Sequence, residues 1–112
     1  MIPKPVVPRA RANRDVEAAV AWYLAEAGKE TALRFIAALE KAYAHIARHP
    51  ASASPRHAHE LGLTGLRSWP LRRFPFVVFF VEQSDVIDVW RVLHGERDIP
   101  RWMQDEGEAG PE

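Results

Sequence analysis

The chain has 112 residues, of which 47% are hydrophobic and 27% charged, and this length predicts one compact core. It contains no cysteine, which excludes disulfides, thiolate metal sites and a cysteine nucleophile. It also lacks an apolar run of about 18 residues and an apolar signal segment, so we expect a cytoplasmic protein outside the membrane.

The formal net charge is zero, but the charges are unevenly distributed. Residues 1–56 carry nine Lys or Arg against five Asp or Glu, and residues 57–112 carry six against ten. Overall neutrality argues mildly against non-specific nucleic-acid binding and leaves a specific protein target open. The composition predicts one domain over residues 1–104 and an acidic flexible tail over residues 105–112. The acids of this tail are Asp105, Glu106, Glu108 and Glu112.

The first elements of the chain are predicted to be a short extended segment and an amphipathic helix. Three prolines in residues 3–8 prevent a helix there and indicate an edge strand or an arm. From Asp15, apolar residues three and four positions apart predict a helix that ends near Gly28, with Asn13 or Arg14 before its acidic first turn. The apolar stripe of this helix contains Val16, Ala19, Val20, Tyr23, Leu24 and Ala27.

A second helix is predicted from about Lys29 to Arg48, where His49 and Pro50 end it. Because only Gly28 and its neighbours separate the two helices, we expect an antiparallel hairpin. The second apolar stripe contains Ala32, Leu33, Ile36, Leu39, Tyr43, Ile46 and Ala47. Both tyrosines of the chain, Tyr23 and Tyr43, lie on these stripes, which favours core positions for them.

The carboxy-terminal half is predicted to be a loop followed by three strands. Prolines, serines and glycines mark residues 50–65 as the main loop. Strands are predicted over residues 66–71, 74–82 and 86–94, and the turn at residues 83–85 indicates a β-hairpin between the last two. After Gly95, the segment from Asp98 to Gln104 is predicted to add a helical turn that carries Trp102 and Met103.

Side-chain alternation predicts the faces of the last two strands. Apolar residues on both faces make the strand over residues 74–82 central, with Phe76, Val78 and Phe80 opposite Val77, Phe79 and Val81. In the last strand, strict alternation places Val86, Asp88, Trp90, Val92 and His94 on one face and Ile87, Val89, Arg91 and Leu93 on the other. Arg91 among apolar neighbours is expected to reach solvent or to pair with an acid such as Asp88 or Glu60.

Three stretches of this half resemble the ParE branch of the RelE/ParE superfamily of type II toxins. They are GLRSWPL at residues 65–71, FPFVVFFV at 74–81 and VWRVLHGERDI at 89–99. The early strand, the acidic helix start and the ALRFI segment at residues 32–36 are also similar, so that the resemblance covers about residues 5–104.

The resemblance implies an α+β fold in which an N-terminal strand and a helical hairpin pack on a twisted, mostly antiparallel sheet with a short C-terminal helix. It also implies a cognate ParD-like antitoxin that wraps the toxin. Two activities are implied as alternatives, since RelE-like members cut messenger RNA on the ribosome and ParE-like members inhibit DNA gyrase by binding it.

The catalytic residues of the RelE-like enzymes are matched only in part. The resemblance implies ribonucleases that need no metal. They use basic side chains to stabilise the charge of the phosphorane and a tyrosine, histidine or carboxylate to transfer the proton. Here Gly95 stands where an arginine follows the histidine, and Pro100 or Trp102 stands where a tyrosine is expected. We therefore predict no catalytic residue. The alternative is an endonuclease in which His94 transfers the proton and Arg67, Arg91 and Arg97 bind the phosphate.

Two further patterns bear on binding. His57, His59 and Glu60 could suggest metal ligands, but no second ligand cluster accompanies them, so we expect no metal and a structural or exposed role.

Interleaved tryptophan and arginine are typical of protein interfaces and also of nucleic-acid surfaces, and the charge balance favours the protein interface. The predicted target or antitoxin-binding residues are Arg67, Trp69, Arg91, His94, Arg97, Asp98 and Trp102.

His94, Arg97 and Asp98 also have a structural interpretation, which we favour over catalysis. In it His94 caps a strand, while Arg97 and Asp98 form a local ion pair or cap the last helix.

The leading hypothesis is a toxin that inhibits DNA gyrase stoichiometrically, without a cofactor, and forms a hetero-oligomer with its antitoxin. The alternatives are a ribosome-dependent messenger-RNA endonuclease and an inactive toxin fold retained as a binding module. Because an antitoxin would cover apolar surface, we expect the isolated chain to self-associate and co-expression with the antitoxin to rescue it.

Overall fold

The computed structural model describes residues 2–96, Asp98, Ile99 and Trp102, with only the backbone for residues 59–61. One strand is followed by a run of helices and then by three strands, which is the order of an α+β domain and confirms the predicted fold class. The elements are β1 (Val6–Pro8), α1 (Ala10–Ala27), α2 (Lys29–Arg48), a 3-10 turn (Pro50–Ser52), α3 (Arg56–Leu61), β2 (Leu66–Pro70), β3 (Phe76–Glu82) and β4 (Ile87–His94).

The four strands form one sheet in the order β1-β4-β3-β2. β1 lies at one edge and runs parallel to β4, whereas the β2–β3 and β3–β4 pairs are antiparallel. The Arg9 amide donates to the Val89 carbonyl at 2.8 Å and the Ile87 amide donates to the Pro5 carbonyl at 2.9 Å, which fixes β1 in place. The predicted edge strand and the predicted β-hairpin are thus both confirmed.

The two long helices form the predicted hairpin, and Gly28 makes its turn possible. Gly28 has a φ of 94°, a conformation that favours glycine, and its amide donates to the Tyr23 carbonyl at 2.9 Å. The limits of α2 agree with the prediction. The predicted start of α1 at Asp15 is wrong, because the helix begins at Ala10 directly after β1 and has no side-chain cap. Asn13 and Arg14 are therefore exposed residues inside the helix.

The hairpin buries one face against the sheet, and an aromatic group lies at its centre. Phe35 is fully buried, with its ring centroid 5.4 Å from Tyr23 and 5.2 Å from Phe76. The sequence stripes missed Phe35 and placed Leu24 and Leu33 in the core, but these leucines are 50% and 55% exposed. Each leucine follows a residue that faces the sheet, Tyr23 or Ala32, and the rotation of about 100° between consecutive helix residues turns the leucine away from the buried face.

A second, smaller core covers the opposite face of the sheet. It contains Leu66, Phe79, Leu93, Ile99 and Trp102, with Ala58 of α3 packed against it. Phe76, Val78 and Phe80 belong to the core under the helices instead. The alternation predicted for β3, with apolar cover on both faces, is confirmed.

The segment predicted as one long loop contains α3 and the 3-10 turn. It also protects the outer edge of β2, because Ser54 and Ser68 exchange two backbone hydrogen bonds at 3.1 and 2.8 Å. His57 of α3 is buried, with its ring centroid 5.4 Å from that of Phe79. The predicted loop over residues 50–65 is therefore wrong for its middle part. This part forms a six-residue helix, although its proline and histidine residues are not typical of a helix.

A β-bulge in β4 changes the faces that alternation predicts. Phe79 pairs with Arg91 and Phe80 pairs with Val89, so Trp90 is the extra residue. Ile87, Val89 and Val92 consequently belong to the core under the helices, while Trp90 and Leu93 pack with the second core. The strict alternation predicted for this strand is confirmed as far as Trp90 and is wrong for Val92 and Leu93.

Among the described helices, none has both the length and the apolar content that a membrane span requires.

Candidate functional site

A groove of about 870 Å³ lies between α1 and the carboxyl end of β4. α1 lines it with Arg11, Asp15 and Trp22. Phe76, Arg91 and Trp102 are among the residues that line its other side. The groove therefore combines a polar end with an apolar floor.

The sequence of α1 creates this groove through its spacing. Arg11, Asp15 and Trp22 lie four and seven positions apart, which places them on one helix face. Ala18 and Ala19 between them carry only a methyl group, so the helix wall leaves space. Trp22 is 53% exposed and packs edge-on against Tyr23 at 5.2 Å, which is an unusual position for a large indole. Sequence reasoning missed Arg11, Asp15 and Trp22 as site residues, although their spacing could have revealed them.

An ion pair closes the polar end of the groove. Arg91 donates from Nε to Asp15 Oδ2 at 2.8 Å and from Nη2 to Asp15 Oδ1 at 2.9 Å. The Val92 amide adds a third bond to Asp15 Oδ2 at 3.0 Å. Both side chains are about 85% buried, since their exposed fractions are 14% and 15%. Asp15 thus compensates the charge of Arg91. Arg91 pairs with an acid, as predicted, but that acid is Asp15 and not Asp88, and the side chain of Glu60 lies outside the described set.

Asp88 is engaged in a separate network near β1. Its carboxylate accepts two hydrogen bonds from Arg9 at 3.0 Å, one from Trp90 Nε1 at 3.0 Å and one from Gln83 Nε2 at 3.2 Å. The Arg9 guanidinium also lies over the Trp90 ring at 4.5 Å from its centroid. These contacts fix the bulged Trp90 against the end of the edge strand.

Tyr43 of α2 lies close enough to Asp15 to sense its charge. Burial of the hydroxyl, and then the negative charge of Asp15, raise the pKa of Tyr43 to about 12. A phenol with this pKa stays protonated at neutral pH and is a poor general base. Tyr43 and the buried Tyr23 both pack with the core under the helices, as predicted.

His94 and Asp98 close the turn after β4. The His94 amide donates to Asp98 Oδ2, and the Asp98 amide donates back to the His94 carbonyl, both at 3.0 Å. His94 Nδ1 accepts from the Glu96 amide at 3.2 Å, which leaves the proton of the neutral ring on Nε2. These bonds give both residues a role in the turn. Arg97, predicted to contribute here, lies outside the described residues.

Trp102 is a core residue in this structure. It is 3% exposed, and its ring centroid is 4.7 Å from that of Phe79. Its amide donates to the Asp98 carbonyl at 3.0 Å, which is the spacing of a helical turn. This hydrogen bond agrees with the helical turn predicted from Asp98 as far as Trp102. Residues 103 and 104 of that prediction lie outside the described part.

Arg67 and Trp69 lie in β2, away from the groove. Arg67 Nη1 donates to the Ala53 carbonyl at 2.9 Å, and Trp69 stacks on the His45 ring with centroids 4.0 Å apart. Arg67 pairs with Phe80 and His94 with Phe76, on opposite sides of β3. Four residues along a strand and two strand spacings separate their Cα atoms by about 16 Å. The predicted site residues thus fall into two groups that do not meet.

Within residues 2–96 and the three described residues beyond, no three His, Asp or Glu side chains come together as metal ligands. His57 packs against the second core, and the side chains of His59 and Glu60 are outside the described set.

Fold and site together define an α+β domain whose described residues form a groove and no converged acid–base centre. Residues 6–99 match the family described as the ParE toxin of type II toxin-antitoxin system, parDE. The chain therefore belongs to the ParE toxin family, as the sequence resemblance predicted.

A solved structure of a chromosomal ParDE TA system from P. aeruginosa has the same fold. The TM-score is 0.71 at 20% sequence identity, over 83% of this chain and 97% of that chain. No curated protein matches this chain.

Proposed function

We propose that this ParE-family toxin inhibits DNA gyrase by stoichiometric binding in the cytoplasm, and that a cognate ParD-like antitoxin neutralises it in a hetero-oligomer. The proposal rests on the observation that two basic residues that a ribonuclease would need already bond to other groups of the protein. Arg91 forms a bidentate pair with Asp15, and Arg67 donates to the Ala53 carbonyl. The charge of Arg91 is thus balanced within the protein, and Arg67 is directed toward the backbone of residues 51–53.

The separation of these residues also disfavours the endonuclease alternative. Phosphoryl chemistry needs the proton-transfer group and the charge-stabilising groups within about 3 Å of the reacting atoms. Arg67 and His94 have Cα atoms about 16 Å apart across β3, so one phosphodiester cannot contact both without a rearrangement. A protein that acts by binding needs no such convergence.

The groove is the surface that best suits the antitoxin. Its exposed indole, Trp22, is the residue type most often found at the centre of protein interfaces. Phe76 and Leu93 supply an apolar floor, while Arg11 supplies a charge at the end. An amphipathic segment can bury its apolar side against this floor and leave its polar side in solvent.

The first experiment is a DNA supercoiling assay with purified gyrase and increasing toxin, run beside a translation reaction in which message cleavage is followed. We expect loss of supercoiling, or trapped cleaved DNA, with intact message. Cleaved message with normal supercoiling would refute the proposal and make His94→Ala the first variant of interest. Normal supercoiling and intact message, with unharmed cells after loss of the antitoxin, would indicate an inactive binding module.

A pair of variants tests the groove as the antitoxin surface. Trp22→Ala removes the exposed indole of the groove, and Leu33→Ala removes an equally exposed side chain of α2 that does not line it. We expect Trp22→Ala to weaken antitoxin binding at least tenfold, a hot-spot loss of about 1.4 kcal/mol or more, and Leu33→Ala to change it little. Equal effects of the two variants would place the antitoxin elsewhere.

A further inference from the structure

The chain is neutral as a whole, but its positive charges are concentrated in its middle part. Between Glu40 and Glu82 the sequence contains six Lys or Arg and a single acid, Glu60, which gives residues 41–81 a formal charge of +5. The rest of the chain contains nine Lys or Arg and 14 Asp or Glu, which gives it a formal charge of −5. A zero net charge therefore does not exclude a strongly basic surface. The six cations are Lys41, Arg48, Arg56, Arg67, Arg72 and Arg73.

The fold brings four of these cations to one edge of the sheet. β2 is the outermost strand on this side; it carries Arg67, and Arg72 and Arg73 follow it directly. Ser54 forms an isolated bridge with β2, and Arg56 lies two residues further along the chain. The edge formed by β2 is therefore basic along its length.

The last two turns of α2 add the other two cations to the same edge. His45 of α2 stacks on Trp69 of β2, with ring centroids 4.0 Å apart, so this face of the helix adjoins the strand. Lys41 and Arg48 lie four residues before and three residues after His45, which places them on the same helix face. The six cations together are called the basic rim below.

Acids of the protein do not balance the charges of the basic rim. Five of its six side chains are exposed, and within the described residues none of these five forms an ion pair. The sixth, Arg67, donates to backbone carbonyls of residues 51–53, which carry no charge. In the groove, by contrast, Arg91 has Asp15 as its partner. The rim therefore keeps its positive charge, while the groove is compensated.

The phosphate backbone of a nucleic acid is the ligand that fits such a line of cations. The five residues of β2 extend over about 16 Å. One strand of a DNA duplex presents a phosphate about every 3.4 Å of helix axis, so this length faces about five phosphates. A membrane surface fits less well, because none of the large apolar side chains found exposed among the described residues lies within residues 41–81.

We propose that the basic rim binds the phosphate backbone of duplex DNA without sequence preference, since phosphate contacts carry no sequence information. The choice of DNA over RNA rests on the proposed function, because gyrase holds duplex DNA. The phosphate site itself does not depend on it. β3 separates β2 from β4, so the basic rim and the groove are separate surfaces.

The test measures binding of a fluorescein-labelled duplex of about 20 base pairs, two helical turns, by fluorescence anisotropy at several salt concentrations and without gyrase. The rim variant carries Arg48→Gln and Arg72→Gln. The control variant carries Arg14→Gln and Lys29→Gln, which remove the same charge from exposed side chains outside residues 41–81. Like the rim cations, these two have no acidic partner within the described residues.

For the wild type we expect the logarithm of the binding constant to fall with the logarithm of the salt concentration with a slope of about −5, the value for six phosphate contacts. The rim variant should make this slope shallower by about two and weaken binding at least tenfold at about 0.1 M salt. The control variant should change the affinity less than about twofold. Arg48→Lys with Arg72→Lys should bind like the wild type, because lysine also neutralises a phosphate.

Absence of binding at about 50 mM salt, or equal losses in the rim and control variants, would overturn the proposal. So would displacement of the labelled duplex by an RNA duplex or by polyglutamate at lower concentration than by unlabelled DNA. The assay contains no gyrase, so its failure would leave gyrase inhibition to be decided by the supercoiling assay. Normal supercoiling would refute the proposed function and leave the measured DNA binding in place.

Discussion

Tyr43 holds a phenol oxygen that is shielded from solvent and has no hydrogen-bond partner among the described residues. Its pKa is raised to about 12 in the folded protein, against about 10 in the unfolded chain. Between these values the unfolded tyrosine has lost its proton and the folded one has kept it. Stability therefore falls as the pH rises from 10 to 12, and this group contributes no pH dependence below 10.

Tyr43→Phe is expected to stabilise the protein by about 1 kcal/mol at pH 7, because a buried hydroxyl without a partner is costly. The advantage should grow by about 1.4 kcal/mol per pH unit above 10, since phenylalanine does not titrate. Urea unfolding of both proteins at pH 7, 9, 10.5 and 11 measures the difference. A constant difference across this range would show that Tyr43 has an ordinary pKa.

Arg73, in the turn between β2 and β3, is the only non-glycine residue with a positive φ, 69°, among the described residues. This conformation costs an ordinary side chain about 1 kcal/mol or more. Arg73→Gly should raise the free energy of unfolding by about 0.5 kcal/mol after the larger entropy of the unfolded glycine is deducted.

The adjacent Arg72 is the matched control for this change. It is equally exposed and is not among the residues with positive φ, so Arg72→Gly should destabilise the protein slightly. Thermal unfolding of the two variants gives the comparison. A lower melting temperature for Arg73→Gly than for Arg72→Gly would contradict strain at position 73.

At the scale of elements, the Asp15–Arg91 pair joins α1 to β4 across a separation of 76 positions. Asp15→Asn removes the carboxylate charge that faces the mostly buried Arg91, which we expect to cost about 2 to 3 kcal/mol. Glu30→Gln removes a charge from an exposed pair with Arg34 and should change stability little. Chemical denaturation of both variants distinguishes the two pairs, and equal losses would mean that the buried pair contributes no more stability than the exposed pair.

The sequence could predict those elements whose pattern is local. The bounds of α2 and the two-faced alternation of β3 are each visible in a short window, and both agree with the structure, although the predicted α2 stripe included the exposed Leu33 and missed Phe35. The first turns of α1 lack an apolar stripe, since alanine alternates with arginine there, and so the prediction started five residues late. α3 was missed because a six-residue helix between prolines and glycines carries almost no periodicity.

The candidate site was less predictable because it depends on contacts between distant residues. The bulge at Trp90 shifts the register of β4, and no local signal in the sequence marks it. Asp15 became the partner of Arg91 only through the docking of α1 on the sheet. The predicted binding residues were chosen from one half of the chain, whereas α1 supplies half of the groove.

At the scale of the whole molecule, three large apolar side chains of the helical hairpin are about half exposed: Trp22, Leu24 and Leu33. Exposed apolar groups on a free chain favour association, so we predict concentration-dependent oligomers in sedimentation velocity. Leu24→Gln with Leu33→Gln should shift the distribution toward monomer. A wild-type monomer at all accessible concentrations would remove this argument for an obligatory partner.

The parallel pairing of β1 with β4 also sets the time at which the fold can be completed during synthesis. Val6 pairs with Ile87, so the first strand cannot pair until the ribosome has added a further 81 residues. At 5 to 20 residues per second this delay is roughly 4 to 16 s. The contacts of Lys4 with Glu82 and of Arg9 with Asp88 form equally late. The sheet of the nascent chain therefore stays incomplete until residue 89 has been translated, and under the proposed function this is an interval in which an antitoxin can bind the unfinished chain.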